Sequence, residues 1–215
     1  MEPTFWLARW QAGKTAFHEG KPNQFLSRHH AWLAGSRRIL VPLCGKTEDL
    51  DYLAGHGHEV VGVELYEDAV KQFFAAHGTT PAVTQAGGLA VYTAGPITVI
   101  AGDFFATTPA LVGPIDGIYD RAALVALPPD LRDRYVAHLG ILAPDARREL
   151  LVSLDYPAGA AEGPPFSVDE IEVRARFSRA VVDKVEEVPE PTGRAGGHMV
   201  ERCYAIDFAA PSAAH

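Results

Sequence analysis

The sequence predicts an α/β fold: a doubly wound, Rossmann-like, seven-stranded mixed sheet with one antiparallel strand and an N-terminal helical cover. Three observations predict it. Short apolar runs rich in Val and Ile recur along the chain, amphipathic helical stretches lie between them, and the last two runs are joined by a Pro/Gly loop.

The first unit is the clearest. Arg38-Ile39-Leu40-Val41-Pro42-Leu43 is a short apolar run ending at Gly45, the pattern of a strand buried on both faces. Thr47 offers a helix N-cap, Glu48 and Asp49 suit the positive helix start, and Leu50, Leu53 and Ala54 form an apolar stripe. Glycines at 55 and 57 stop that helix, and Glu59-Val60-Val61-Gly62-Val63-Glu64-Leu65 is the next buried strand. Strand, crossover helix, strand reads as parallel and right-handed.

Val70, Phe73, Phe74 and His77 share one helical face closed by Gly78, and residues 79–93, rich in Thr, Gly and Ala, read as an excursion or short hairpin. Residues 97–100 are a third strand and 115–119 a fourth. Pro128 and Pro129 open a helix carrying Leu131, Tyr135 and Leu139, 149–154 is a fifth strand, and Ser167 caps a helix running to about 177. Residues 180–188 and 199–208 then form a hairpin, with only the last strand antiparallel to the sheet. No linker or repeat interrupts the 215 residues, so one domain is expected, residues 1–30 forming its cover and 209–215 a tail.

Composition narrows the function classes. Apolar residues make up 47% and charged residues 21%, which excludes a disordered chain. Lys and Arg number 19 against 27 Asp and Glu, a formal charge of −8 that disfavours general nucleic-acid or anionic-membrane binding. Two cysteines, Cys44 and Cys203, do not make a disulfide framework or a cysteine-rich zinc site, and the nine histidines have no ligand spacing, so no metal is expected. His29, His30, His56 and His58 read as surface or turn residues. No signal-peptide h-region and no membrane-length apolar run occur, so a cytoplasmic location is expected; a monomer is expected as well.

In an open α/β sheet, ligands bind beyond the carboxyl ends of the strands. Four places qualify: 43–46, Glu64, 103–105, and Asp120-Arg121. Glu64 ends the second strand where Rossmann-type folds put a carboxylate that accepts ribose hydroxyls; the alternative is a strand-end charge capping the next helix. The loop Pro42-Leu43-Cys44-Gly45-Lys46 has one glycine and no pyrophosphate fingerprint, and a turn of this kind suits a nucleoside cofactor without phosphates, such as S-adenosylmethionine. Gly102-Asp103-Phe104-Phe105 can place a carboxylate beside an adenine amino group and an aromatic over the ring, or be a turn with two core phenylalanines; Phe105 reads as core in either case. Trp6 and Trp10, at i and i+4, can hold a sulfonium by cation–π attraction or pack a terminal helix, with Phe17 and His18 in the same cover. Cys44 reads as an inert, half-buried thiol, and Asp120-Arg121 as either a site pair or a strand-end ion pair.

Together these segments resemble the thiopurine S-methyltransferase family. The resemblance rests on Trp6-x-x-x-Trp10-x-x-Gly13-Lys14-Thr15-x-Phe17-His18, Val41-Pro42-Leu43-Cys44-Gly45-Lys46, Val61-Gly62-Val63-Glu64, Gly102-Asp103-Phe104-Phe105, Tyr119-Asp120-Arg121-Ala122-Ala123-Leu124 and Gly163-Pro164-Pro165-Phe166. It implies methyl transfer from S-adenosylmethionine to the sulfur of an aromatic or heterocyclic thiol such as a thiopurine, with relatives acting on other thiols, halides, and selenium or tellurium species. It implies Trp6, Trp10, Leu43, Glu64, Asp103, Phe104 and Arg121 as cofactor contacts, Arg121 also as the catalytic residue, and Phe17 and Arg194 as substrate contacts. Ser167-Val168 stands where the family is expected to carry a bulkier residue. A non-catalytic nucleoside-binding protein and an NAD-dependent reductase are the competing classes.

Overall fold

A computed structural model describes residues 3–12, 18–189 and 197–209. In chain order the elements are α1 (Pro3–Gln11), α2 (Gln24–His29), β1 (Arg38–Val41), α3 (Asp49–Gly55), β2 (Glu59–Glu64), α4 (Glu67–Ala76), β3 (Ala82–Ala86), β4 (Leu89–Ala94), β5 (Ile97–Ala101), α5 (Pro109–Val112), β6 (Gly117–Arg121), α6 (Pro129–Leu142), β7 (Arg148–Asp155), α7 (Glu170–Arg176), β8 (Val181–Pro189) and β9 (Val200–Asp207).

The strands form one mixed sheet in the order β3-β4-β5-β2-β1-β6-β7-β9-β8. It has nine strands rather than the expected seven. The two extra strands are the excursion at 79–93: β3 and β4 pair antiparallel, and β4 also runs antiparallel to β5. β9 is therefore not the lone antiparallel strand. The remaining seven match the expected core, with β9 antiparallel to β7 and β8.

Alternation along the central strands feeds two cores, one on each face. Ile39 and Val41 join Val60, Val99 and Leu150 beneath α2, α3 and α4; Leu40 joins Val61, Ile100, Ile118 and Leu151 beneath α5, α6 and α7. Burying the sheet on both faces is what makes its parallel strands read as continuous apolar runs.

Several boundaries differ from expectation. The helix after β1 begins at Asp49, with Thr47 Oγ1 accepting the Asp49 N–H at 3.3 Å. The helix at 170–176 is capped by Asp169, whose Oδ1 accepts the Glu172 N–H, while the Ser167 hydroxyl bridges Asp155 and Tyr156. α2 was not expected from the sequence: it is too short for a helical period to show, and Asn23 Oδ1 caps it.

The site is positioned by the chain reversal at β1. From β1 the connections run outward through β2 to β5, and β6 returns to β1's other side. Helices therefore leave the carboxyl ends of β1 and β6 in opposite directions, which opens a crevice between them. No helix among the described residues is long and apolar enough to cross a membrane.

Candidate active site

A cavity of about 860 Å³ occupies this crevice, lined by the strand ends, the N-terminal segment and the loop carrying Pro164 and Pro165. Trp6, Trp10, Leu43, Glu64, Asp103, Phe104 and Arg121, expected at the site, all line it. Phe17 and Arg194 lie outside the described residues.

Glu64 is 5% exposed. Its Oε2 accepts the Gly45 N–H and its Oε1 the Tyr66 N–H, each at 2.7 Å. Gly45 can turn its N–H this way because its φ of +60° is one that glycine adopts without strain. Glu64 thus ties together the turns that follow β1 and β2, with its carboxylate on the cavity wall. Burial pushes its carboxyl up to about 7, against the opposing pull of the backbone N–H bonds.

Trp6 and Trp10 give the cavity an aromatic wall. Trp10, 8% exposed, stacks on Tyr66 with ring centroids 5.5 Å apart and planes 21° from parallel. Trp6 meets Phe5 edge-on, and the Arg9 guanidinium lies 6.0 Å from its ring centre. The Trp pair therefore both packs α1 and lines the cavity. Tyr66, which was not anticipated, backs Trp10.

Across the cavity, exposed Asp103 caps the following turn through Oδ1 to the Phe105 N–H. Phe104 is buried against Tyr135 and His138. Phe105, expected in the core, is only half-buried: the Arg134 guanidinium sits 4.1 Å over its ring centre.

Asp120 and Arg121 diverge, as adjacent strand residues must. Asp120 is fully buried, and its carboxylate accepts from the Leu124 N–H and from the Tyr135 hydroxyl at 2.7 Å. Burial raises its carboxyl to about 6. The Arg121 side chain, 13% exposed, pairs with Glu19 on the N-terminal segment. Asp49, 1% exposed, accepts the Asn23 N–H and the Tyr119 hydroxyl, anchoring that segment beneath the cavity.

Leu43 and Ala122, at the ends of β1 and β6, have φ of +48° and +63°. Each conformation is costly for a residue with a Cβ, and both fall on the cavity wall. The Gly163-Pro164-Pro165-Phe166 stretch is held by the Tyr156 hydroxyl on the Pro165 carbonyl and the Phe166 N–H on the Val125 carbonyl.

Cys44 is buried rather than half-buried, and burial beside Glu64 holds it as a thiol. Its sulfur explains Gly62, where a Cβ would lie 2.7 Å from Sγ. Among the histidines read as surface, His58 is buried, with its ring on the Ser36 carbonyl.

Comparison with known proteins decides the family. A family model described as thiopurine S-methyltransferase matches residues 1–199. The chain belongs to the thiopurine S-methyltransferase family. A thiopurine S-methyltransferase from Pseudomonas entomophila is 44% identical over 96% of this chain and 99% of its own length. One from Azotobacter vinelandii is 48% identical over 81% of each chain. The fold is shared with a Burkholderia thailandensis 1,6-didemethyltoxoflavin-N1-methyltransferase, solved with S-adenosylhomocysteine, at a TM-score of 0.66 and 18% identity over 95% of this chain and 86% of that one.

The protein is thus a methyltransferase, and S-adenosylmethionine is its methyl donor. The site fits that donor. Its turn lacks a glycine-rich pyrophosphate cradle, and buried Glu64 presents acceptor lone pairs suited to ribose hydroxyls.

Proposed function

We propose that the chain transfers the methyl group to the sulfur of an aromatic or heterocyclic thiol, of the thiopurine kind named in its relatives. The observation that carries this reading is Arg121: a guanidinium, mostly buried, in the same cavity as Glu64 and next to the N-terminal segment. When bound, the donor's sulfonium supplies an electrophilic methyl group.

Glu64 holds the ribose, Trp10, backed by Tyr66, walls the donor, and Asp103 and Phe104 flank the adenine. Trp6 and Leu43 close the remaining sides, with Phe17 and Arg194 as substrate contacts. An acidic heteroaryl thiol is already largely ionised near neutral pH. Arg121 offsets the solvation such a thiolate loses on entering the cavity, and its planar fork orients the anion. Alignment of sulfur and methyl with water excluded supplies most of the remaining rate.

Incubation with methyl-labelled donor and a panel of heteroaryl thiols, halides and chalcogen oxyanions tests this. Label is expected in the thiols first; label in halides or oxyanions alone removes the thiol reading.

A further inference from the structure

His18 lines the cavity beside Glu19, the residue that engages Arg121. Its Nδ1 is buried and has no hydrogen-bond partner among the described residues. A buried ring nitrogen facing a ligand cavity without a partner is a costly arrangement that a bound donor would relieve.

We propose that His18 is the general base for thiols that reach the cavity still protonated, extending the acceptor class to weakly acidic aryl and alkyl thiols. The inference rests on the thiol reading above. In the Nε2–H tautomer, Nδ1 carries the lone pair that takes the proton. The S–H bond breaks as Nδ1–H forms, and the sulfur pair forms the bond to the methyl carbon. The carbon–sulfonium bond breaks with its pair on the departing sulfur, and the imidazolium proton passes to water after product leaves.

The surroundings keep the imidazole neutral and ready to accept. Burial, Lys46 and Arg121 lower its pKa; Glu48 and Glu19 oppose them, and the net direction is downward from 6.5. His18 comes from the N-terminal segment, Lys46 and Glu48 from the turn after β1, and Arg121 from β6.

The test compares the full-length parent with His18→Gln on two thiols, one ionised and one protonated at pH 7, across pH. For the protonated thiol, His18→Gln should lose about 100-fold in kcat/KM at pH 7. The loss should vanish above that thiol's own pKa, and the ionised thiol should lose less than about threefold. With S-adenosylhomocysteine bound, the protonated arylthiol should show thiolate absorbance with the parent and not with His18→Gln. Added imidazole should restore His18→Ala on the protonated thiol alone. Equal losses on both thiols, or none, overturn the proposal. So does a parent that methylates only the ionised thiol, which leaves the thiol reading standing; a parent that methylates neither removes both.

Discussion

The guanidinium of Arg121 and the carboxylate of Glu19 are bonded within the cavity, joining the end of β6 to a segment 102 positions earlier. Glu19 also accepts from the Asn23 side-chain amide at 3.2 Å, so the pair continues into the cap of α2. The N-terminal segment is thereby tied to the residue proposed to hold the acceptor. Glu19→Gln should remove a competing anion and lower KM for ionised thiols by about two- to fivefold, on the scale of a partly exposed ion pair. Steady-state kinetics checks this, with an unchanged donor affinity as the control.

Arg121→Ala should weaken turnover most for thiols of higher pKa, whose ionised form depends on the cation. Lys at this position should restore only part, since it lacks the planar fork. The measurement is kcat/KM across a thiol series, with donor affinity determined separately. A uniform loss matched by the change in donor affinity would make Arg121 a donor contact alone.

With Glu64 holding the ribose as proposed, donor binding should be pH-dependent. Its carboxyl sits at about 7, and hydroxyls donate best to the ionised form, so affinity should fall as pH drops below 7. Calorimetry should show proton release on binding at pH 7. Glu64→Gln should flatten the pH profile and weaken binding at pH 8 by at least about tenfold, for the loss of one charge-assisted bond of ~1.5–3 kcal/mol.

Glu149, on β7, is fully buried, and neither carboxyl oxygen has a hydrogen-bond partner among the described residues. Burial, then the charge of Asp120, push its pKa well above the ordinary value. A carboxyl with a raised folded-state pKa favours folding while protonated. That contribution is present in full below about 4.3, the unfolded value, and is lost as pH rises through the folded one. Asp120, raised to about 6, acts in the same direction. Glu149→Leu should therefore stabilise the protein at pH 8 by about 1–3 kcal/mol, and less at pH 5, as read from urea midpoints.

Much of this site was legible because strand ends are legible. Glu64, Asp103, Phe104 and Arg121 directly follow or end apolar runs, and the switch-point rule turns that position into a site. The hairpin β3–β4 was harder: its Thr- and Ala-rich residues, exposed on β3 and mostly half-buried on β4, lack the apolar run of a core strand. Glu19 was not read as part of the site, and Asp49 was read only as a charge at a helix start. Their partners, Arg121 for one and Asn23 and Tyr119 for the other, are set by how the N-terminal segment folds back, which no local period records. Phe105 misled because two adjacent phenylalanines look alike in sequence, while the turn capped by Asp103 sends one into the core and leaves the other under Arg134.

The most direct test of the central claim is to locate the transferred carbon. A heteroaryl thiol that offers both a sulfur and ring nitrogens is incubated with 13C-methyl donor, and the product is read by NMR. The account predicts label on sulfur alone, with turnover reduced in Arg121→Ala. Label on a ring nitrogen, or sulfur methylation indifferent to Arg121, would contradict it.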